Sequence, residues 1–572
     1  MVSPVSIEVI GSSLQAYCDE MASVLCRTAY SPIIFEVRDF CVGLVDPNGQ
    51  IIAQNKGGLP IFLADMGFPV LDAIKVFGRE NLKQGDIILT NHPYICGQHL
   101  NNVILFSPFF HKGEIVAFPA VRAHWVHIGG VSAGFGSSDT TEIYQEGLQL
   151  RSIKLYESGK PNETILRILK DNIKYPDLVF GDMNAQISSC RVGERRLANL
   201  FDKYGKETIV ECIHETWNRS EELARMEITK IPNGSYTSES YLDNDGVDLD
   251  RTIPIKVTVT IEDQNMTMDF SEMSDQTKGP INSATIAAAR VAFKCITTPT
   301  TPVNEGCFRP LEVIIPPGKL MNALPPASMA AFSMPFPTVI DTVLRALSSA
   351  IPNKIPAAHF GSMGGHFILQ GKNKKTGKPF VCFSHYGGGW GGRPIEDGVN
   401  SSGSICQGLV QNASVELEEL YYPMIFERLA LRVDQAGAGK FRGGLGIEVI
   451  IKCLQDSKLN ENIERSKCHP WGLHGGKDGS PNMVWVKSNP KAEWQPMLKV
   501  HEYPLEEGAL VWVQTGCGGG WGNPLERDVE LIQEDVRKGF ISLNTAQTEY
   551  NVIINPETLA VDNQLTQALR KS

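Results

Sequence analysis

No window of this sequence approaches a membrane-spanning run, and no basic segment followed by an apolar stretch opens it. A cytoplasmic protein without a membrane partner is therefore expected. A dense cysteine framework is missing as well, since thirteen cysteines lie scattered from Cys18 to Cys517. An odd count rules out complete pairing within the chain and suits a reducing compartment. Positive charge is in deficit, with 53 Lys and Arg against 64 Asp and Glu and a net charge of -11. No broad electrostatic footprint for nucleic acid follows, although a local Arg or Lys could still receive an anionic substrate. Nucleotide loops are absent too. The glycine-rich run at 387–392 lacks the Lys and Ser/Thr of a P-loop and the spacing of a dinucleotide fingerprint. Close backbone packing or a substrate-lining loop is expected there.

Histidine is scarce, 12 in 572 residues, which makes its one concentration informative. His92 and His99 fall within 91–103, His124 and His127 within 121–130, and His111 lies between. The apolar runs Val103-Ile104-Leu105-Phe106 and Ile115-Val116-Ala117-Phe118 separate the two segments and read as adjacent strands. Histidines at strand ends beside glycine-rich turns can converge on a metal or act as acid–base groups. Satisfied polar histidines packed between strands are the competing reading, because neither HExxH nor a paired CxxC is present. Asp39, just before the apolar run Phe40 through Val45, is open in the same way: a metal-ligating carboxylate, or one half of an Arg38–Asp39 pair.

The chain is longer than one hydrophobic core allows, so about two to four packed regions are expected. Ile7, Ile10, Leu14, Cys18, Met21 and Leu25 recur at helical spacing and predict a helix over 6–29. Strand 40–45, its turn at 46–49 and a helix over 69–77 follow, then a short strand at 87–89. Helical patterns fill much of 140–230. Ile253, Ile255, Val257, Val259 and Ile261 then alternate with polar residues as a half-covered strand does, with 266–270 as its partner. Helices are expected at 283–293, 341–350 and 526–538, and the final dozen residues as a mobile end. The fold class is mixed α/β, a multi-region subunit with a β-rich C-terminal half. Its regions are 1–235, an N-terminal α/β part with the candidate site; 236–400, a central α/β part; and 401–572, β-rich with a terminal helix.

Several separated motifs recur in one order. They are Arg38-Asp39-Phe40, the 91–102 segment, His124 ahead of Ile128-Gly129-Gly130, and Gln145-Glu146-Gly147-Leu148. Gly279-Pro280-Ile281-Asn282, the 304–310 segment, Gly388-Gly389-Trp390-Gly391, Arg442 through Gly446, 470–476 and 520–527 complete them. In this order, from about 31 to 550, the chain resembles the hydantoinase B/oxoprolinase family. The resemblance implies a subunit of an ATP-dependent amidohydrolase that opens hydantoin, oxoproline or related lactam rings. A separate actin-like ATPase or kinase subunit would use the ATP and activate the substrate, giving a hetero-oligomer. It also implies a divalent metal (zinc, manganese or iron) on Asp39, His99 and His124, with Asn102 as a further ligand. His127 and Asp65 are the expected catalytic groups, Asp65 by orienting water or, alternatively, as a cap or salt-bridge partner. Two positions depart from the family's pattern: Asn102 replaces an aspartate, and His127 replaces the aspartate ahead of Ile-Gly-Gly. Two other functions therefore stand beside the first, a subunit of an ATP-dependent ketone carboxylase and a non-catalytic assembly subunit. Arg309 is expected to pair internally and His92 to serve a turn.

Overall fold

The structure is a computed structural model that describes residues 2–63, 65–131, 137–363 and 366–571. Its first sheet is built from β1 (Phe40–Val45), β2 (Ile51–Gln54), β3 (Ile87–Thr90), β4 (Asn102–Phe106), β5 (Phe109–His111), β6 (Glu114–His124), β7 (Ile153–Glu157) and β8 (Lys160–Pro161). The order is β2-β1-β6-β4-β3-β7-β8, with β5 pairing only to β6. Continuous apolar runs in β1 and β6 make sense here, because both faces of this sheet are covered. Phe40, Val42, Leu44, Val121 and Ala123 pack beneath the long helices Pro4–Thr28 and Pro176–Tyr204. Cys41, Val45, Phe118 and Ala120 belong to a second core, which runs on through residues as distant as Cys406. The period of two thus sends neighbouring residues of one strand into different cores.

The central sheet joins β9 (Gly234–Leu242), β10 (Ile253–Glu262), β11 (Asn265–Asp269) and β12 (Leu311–Ile314) in the order β12-β11-β10-β9. All five alternating apolar residues of β10 are buried, and the Phe336–Ala346 helix packs over β9 and β10. Two further sheets carry the C-terminal half. One contains β13 (His366–Lys372), β14 (Pro379–His385), β17 (Ser457–Asn462) and β20 (Lys499–Leu505), with β14 at its edge. The other contains β15 (Met424–Leu431), β16 (Ile447–Cys453), β18 (Met483–Lys487), β19 (Gln495–Pro496) and β21 (Leu510–Gln514). Their inner faces share one apolar core. The fold is mixed α/β with a helical N-terminal part and sheets concentrated towards the C-terminus, as the patterning indicates.

The glycine runs are places where backbone meets backbone. Gly389 N–H donates to Gly516 O at 2.9 Å, and Gly518 N–H to Gly444 O at 2.9 Å. A β-carbon at Gly518 would stand 1.9 Å from Trp390 O, so no larger residue fits.

Several element boundaries differ from those expected. Residues 283–286 do not join the helix, which is Ala287–Thr297. Ser283 and Ala284 donate their N–H groups to Leu320 O and Gly97 O, and the Thr285 hydroxyl accepts from Ala287 N–H. The helix expected at 341–350 is Phe336–Ala346, with Pro337 tolerated in its first turn. Asp528 caps a helix at Val529–Arg537, shorter than the expected 526–538. The chain end is tied rather than loose. Its Asn563–Lys571 helix sends Arg570 back to Tyr550 O and Arg527 O. No helix among the described residues is long and apolar enough to cross a membrane. All thirteen cysteines are free thiols.

Glu461 on β17 is fully buried, and neither carboxylate oxygen has a hydrogen-bond partner among the described residues. Burial pushes its carboxyl up from 4.5 to about 8. The folded state therefore holds a proton that the unfolded chain releases, so stability is full below the unfolded value and falls as pH rises through about 8. Each unit crossed in that window removes up to about 1.4 kcal/mol. Glu461→Gln is expected to flatten this dependence, read as the urea unfolding midpoint at a series of pH values. A variant with the wild-type slope would contradict it.

Candidate active site

Strand pairing alone brings three of the singled-out side chains together. His124 N–H donates to Asp39 O at 3.1 Å, so the end of β6 lies against the residue that precedes β1. Asn102, the first residue of β4, sits directly opposite His124. His99 lies one turn earlier, and Asn102 N–H donates to His99 O at 3.2 Å. Gly97 makes that turn possible: its φ is 76°, and a β-carbon would stand 2.7 Å from Ala284 O.

The side chains converge accordingly. His124 Nδ1 is 3.5 Å from Asp39 Oδ2 and 3.1 Å from Asn102 Oδ1. The His99 and His124 rings meet edge to face, 4.8 Å between centroids. All four residues are buried and line one cavity of about 20 Å³. A single water or ion needs about 10–15 Å³, so the space suits one such occupant and is too small for a ring. Leu59, Ile61 and Phe62 also line it, and distant segments add Phe332, Ser333, Met363, Phe383, His385, Gln407 and Val410.

The nitrogens are assigned by their partners. Ala330 O, 3.2 Å from His99 Nδ1, can only accept, so that nitrogen carries a proton. Asn102 donates its amide N–H to Gln98 Oε1 at 2.8 Å and turns its oxygen to His124 Nδ1. Its amide therefore fixes the neighbouring imidazole. Burial pushes the Asp39 carboxyl up to about 7 and His99 down to about 4. Asp39 Oδ1 is buried with no hydrogen-bond partner among the described residues. A cation beside it would restore the carboxylate.

One acid and two imidazoles are donors of the kind a divalent cation takes. The ligand shell is not closed as it stands: among the described residues no three His, Cys, Asp or Glu side chains form a metal-holding group.

The other singled-out residues go elsewhere. Asp65 lies outside the cavity wall, in a buried ion pair 2.8 Å from Arg122, and accepts from Thr285 Oγ1 at 2.7 Å. His127 is also outside the wall. Its Nδ1 accepts from the N–H groups of Gly129 and Lys174, each at 3.1 Å, which anchors a turn to the start of the next helix. No Arg38–Asp39 ion pair forms. Arg38 is exposed with φ of 61°, while Asp39 points inward. His111 faces Asp202 at 3.9 Å, and His92 stands at the N-cap position of the short Pro93–Cys96 helix without a side-chain capping bond. Arg309 pairs internally with Glu221 at 3.1 Å.

Sequence reasoning missed the far wall. His385 stands at the end of β14, with Nδ1 2.8 Å from Met363 O and 2.9 Å from Gln407 Nε2. Ser404 N–H holds Gln407 Oε1 at 2.7 Å, at the end of a buried Asp341–His359–Ser404 line. Ser404 does not line the cavity, so this line positions Gln407 rather than presenting a nucleophile to the cavity. Glu146, present only as part of a motif, accepts from Met329 N–H and Ala330 N–H at 2.7 and 2.9 Å. It thereby fixes the carbonyl that orients His99. The Gln-Glu-Gly-Leu motif was the available signal for Glu146. Nothing local marked Gln407.

Similarity to known proteins extends over most of the chain. The family model described as hydantoinase B/oxoprolinase matches residues 3–524. An uncharacterised protein of Methanocaldococcus jannaschii is 33% identical, over 99% of each chain. A putative D-/L-hydantoinase subunit from Pseudomonas sp. is 32% identical, over 100% of this chain and 98% of its own. The crystal structure of ATP-dependent caprolactamase from Pseudomonas jessenii superposes with a TM-score of 0.92 at 27% identity, covering 100% of both chains.

Proposed function

Because the chain belongs to the hydantoinase B/oxoprolinase family, we propose that it is the ring-opening subunit of an ATP-dependent cyclic-amide hydrolase. The observation that carries the reading is the convergence of Asp39, His99 and His124, from three separate segments, on one ion-sized buried cavity. Among the related proteins, a hydantoinase subunit and a caprolactamase support hydantoins and lactams as the substrate class. The chain has no nucleotide loop of its own. ATP is therefore used by an actin-like partner subunit in a hetero-oligomer, and its reducing compartment is the cytoplasm.

Asp39, His99 and His124 would hold a divalent cation, zinc, manganese or iron, and such a group supplies Lewis-acid polarisation. Everything else falls to the chain's own side chains. Ala330 O and Asn102 Oδ1 engage the Nδ1 atoms of His99 and His124, which fixes the orientation of both rings. Asn102 acts as a positioning residue, and His127 holds the turn beyond β6. His385 lines the cavity as a neutral imidazole, pushed down to about 4 by burial. The closed space is too small for a lactam ring, so the enclosure must open for one to enter. Apolar residues of that enclosure keep bulk water from the activated amide once it closes.

The test is reconstitution with the cognate ATPase subunit. Hydantoins, 5-oxoproline and caprolactam are supplied with ATP, and the ring-opened acid and ADP are measured together. Stoichiometric ring opening is expected only with both subunits. Robust ATP turnover by this chain alone, or turnover of a ketone with bicarbonate and of no cyclic amide, would overturn the assignment.

A further inference from the structure

The β14 strand lines a cavity on one face, and Tyr386, one residue past its end, lines another. Phe383 and His385 point into the small cavity described above. Ser384 and Tyr386 point to the other side, as the alternation of an extended chain requires. There lies a separate pocket of about 340 Å³, within the range of small-ligand sites. Val415, Phe426, Leu431 and Ile447 give it an apolar body. Glu418 and Tyr386 form its polar end.

Those two polar groups are incompletely satisfied. Glu418 is 3% exposed, and its Oε1 accepts from the Ser384 hydroxyl at 2.7 Å. Glu418 Oε2 and Tyr386 Oη are both buried, and neither has a hydrogen-bond partner among the described residues. A carboxylate oxygen left in this state is costly, and native proteins rarely leave one without a role. The side chain has not been drawn into an ion pair with Lys or Arg among the described residues, and because burial pushes its carboxyl up to about 7, an incoming cation would favour the carboxylate form. One carboxylate and one phenol are too few donors for a metal, and both can accept a hydrogen bond. The matching ligand has N–H donors at one end and a short apolar chain at the other.

We propose that this pocket binds a small primary ammonium compound with an aliphatic body, its charge on Glu418 and one N–H on Tyr386. The ammonium would satisfy both orphaned acceptors in one contact, and the alkyl chain would cover Val415, Phe426 and Ile447. Occupancy would also bear on β14, whose opposite face carries His385.

Isothermal titration of the full chain with hexylammonium and with 1-hexanol tests the site. The two probes share an apolar body and differ in charge. Hexylammonium is expected to bind about tenfold or more tightly than the alcohol, because a charge-assisted bond to a carboxylate is lost in the latter. Glu418→Gln should remove that difference while the circular dichroism spectrum stays unchanged. Should Glu418→Gln fail to fold, Tyr386→Phe keeps the ring and is expected to weaken hexylammonium about threefold or more without altering 1-hexanol. Equal binding of the two probes by the wild type, or full hexylammonium preference in the variants, would overturn the assignment.

Discussion

Asp39→Asn is expected to lower ring opening by the reconstituted complex at least about 10²-fold, since even groups that merely orient metal ligands are worth 10–100-fold. The substitution keeps the size of the side chain and removes the only carboxylate among the described residues of the cavity wall. A buried carboxyl pushed up to about 7 is a weak anion unless a cation joins it, and an amide cannot become one at all. The loss should fall on kcat and on the metal content of the purified protein together. The unfolding midpoint should stay or rise, because a buried ionisable group with an unpartnered oxygen has been replaced by a neutral one. Metal analysis and product formation are measured on one preparation. An Asp39→Asn protein that keeps both its metal and its turnover would show that the convergence on this cavity is only packing.

Arg122 and Asp65 should behave in the opposite way. Arg122→Met is expected to destabilise the protein by about 3–5 kcal/mol, because the Asp65 carboxylate is left buried without its counter-ion. The pair is a junction. Arg122 donates to Phe62 O at 3.2 Å, to Asp65 at 2.8 Å and to Cys96 O at 3.3 Å, while Asp65 accepts from Thr285. The 62–65 segment, the Cys96 turn and, through Asp65, Thr285 are thus tied to one guanidinium, two residues before His124 on the same strand face. Asp65→Asn should cost a comparable amount. The double variant Asp65→Leu/Arg122→Met should lose less than the sum of the singles, since no unpaired charge remains. Urea midpoints measure all three. Were Asp65 a water-orienting group, its asparagine variant would lose turnover at unchanged stability, which is the result that rejects the structural role.

Local pattern carried far in this chain. The 6–29 stripe, the alternation of β10 and the apolar runs of β1, β4 and β6 are all periodicities of single segments, and the structure realises each of them. His99, His124 and Asp39 could be proposed as partners because strand ends and glycine turns are legible in short windows, with the family resemblance supplying the roles. Boundaries failed where a distant segment supplied the competing hydrogen bond. Residues 283–286 leave the helix for Gly97 O and Leu320 O, and the chain end is held by Tyr550 and Arg527.

By itself the sequence determined the class of fold, the lineage and the near wall of the cavity, since these depend on residue type, spacing and period. Only the tertiary structure decided which polar groups are cut off from water and what each one meets there. It sent Asp65 to Arg122 and His127 to two backbone N–H groups. It also brought His385 and Gln407 across to complete the enclosure. Desolvation and hydrogen-bond completion are settled by neighbours far apart in the chain, and no window of sequence contains both members of such a pair.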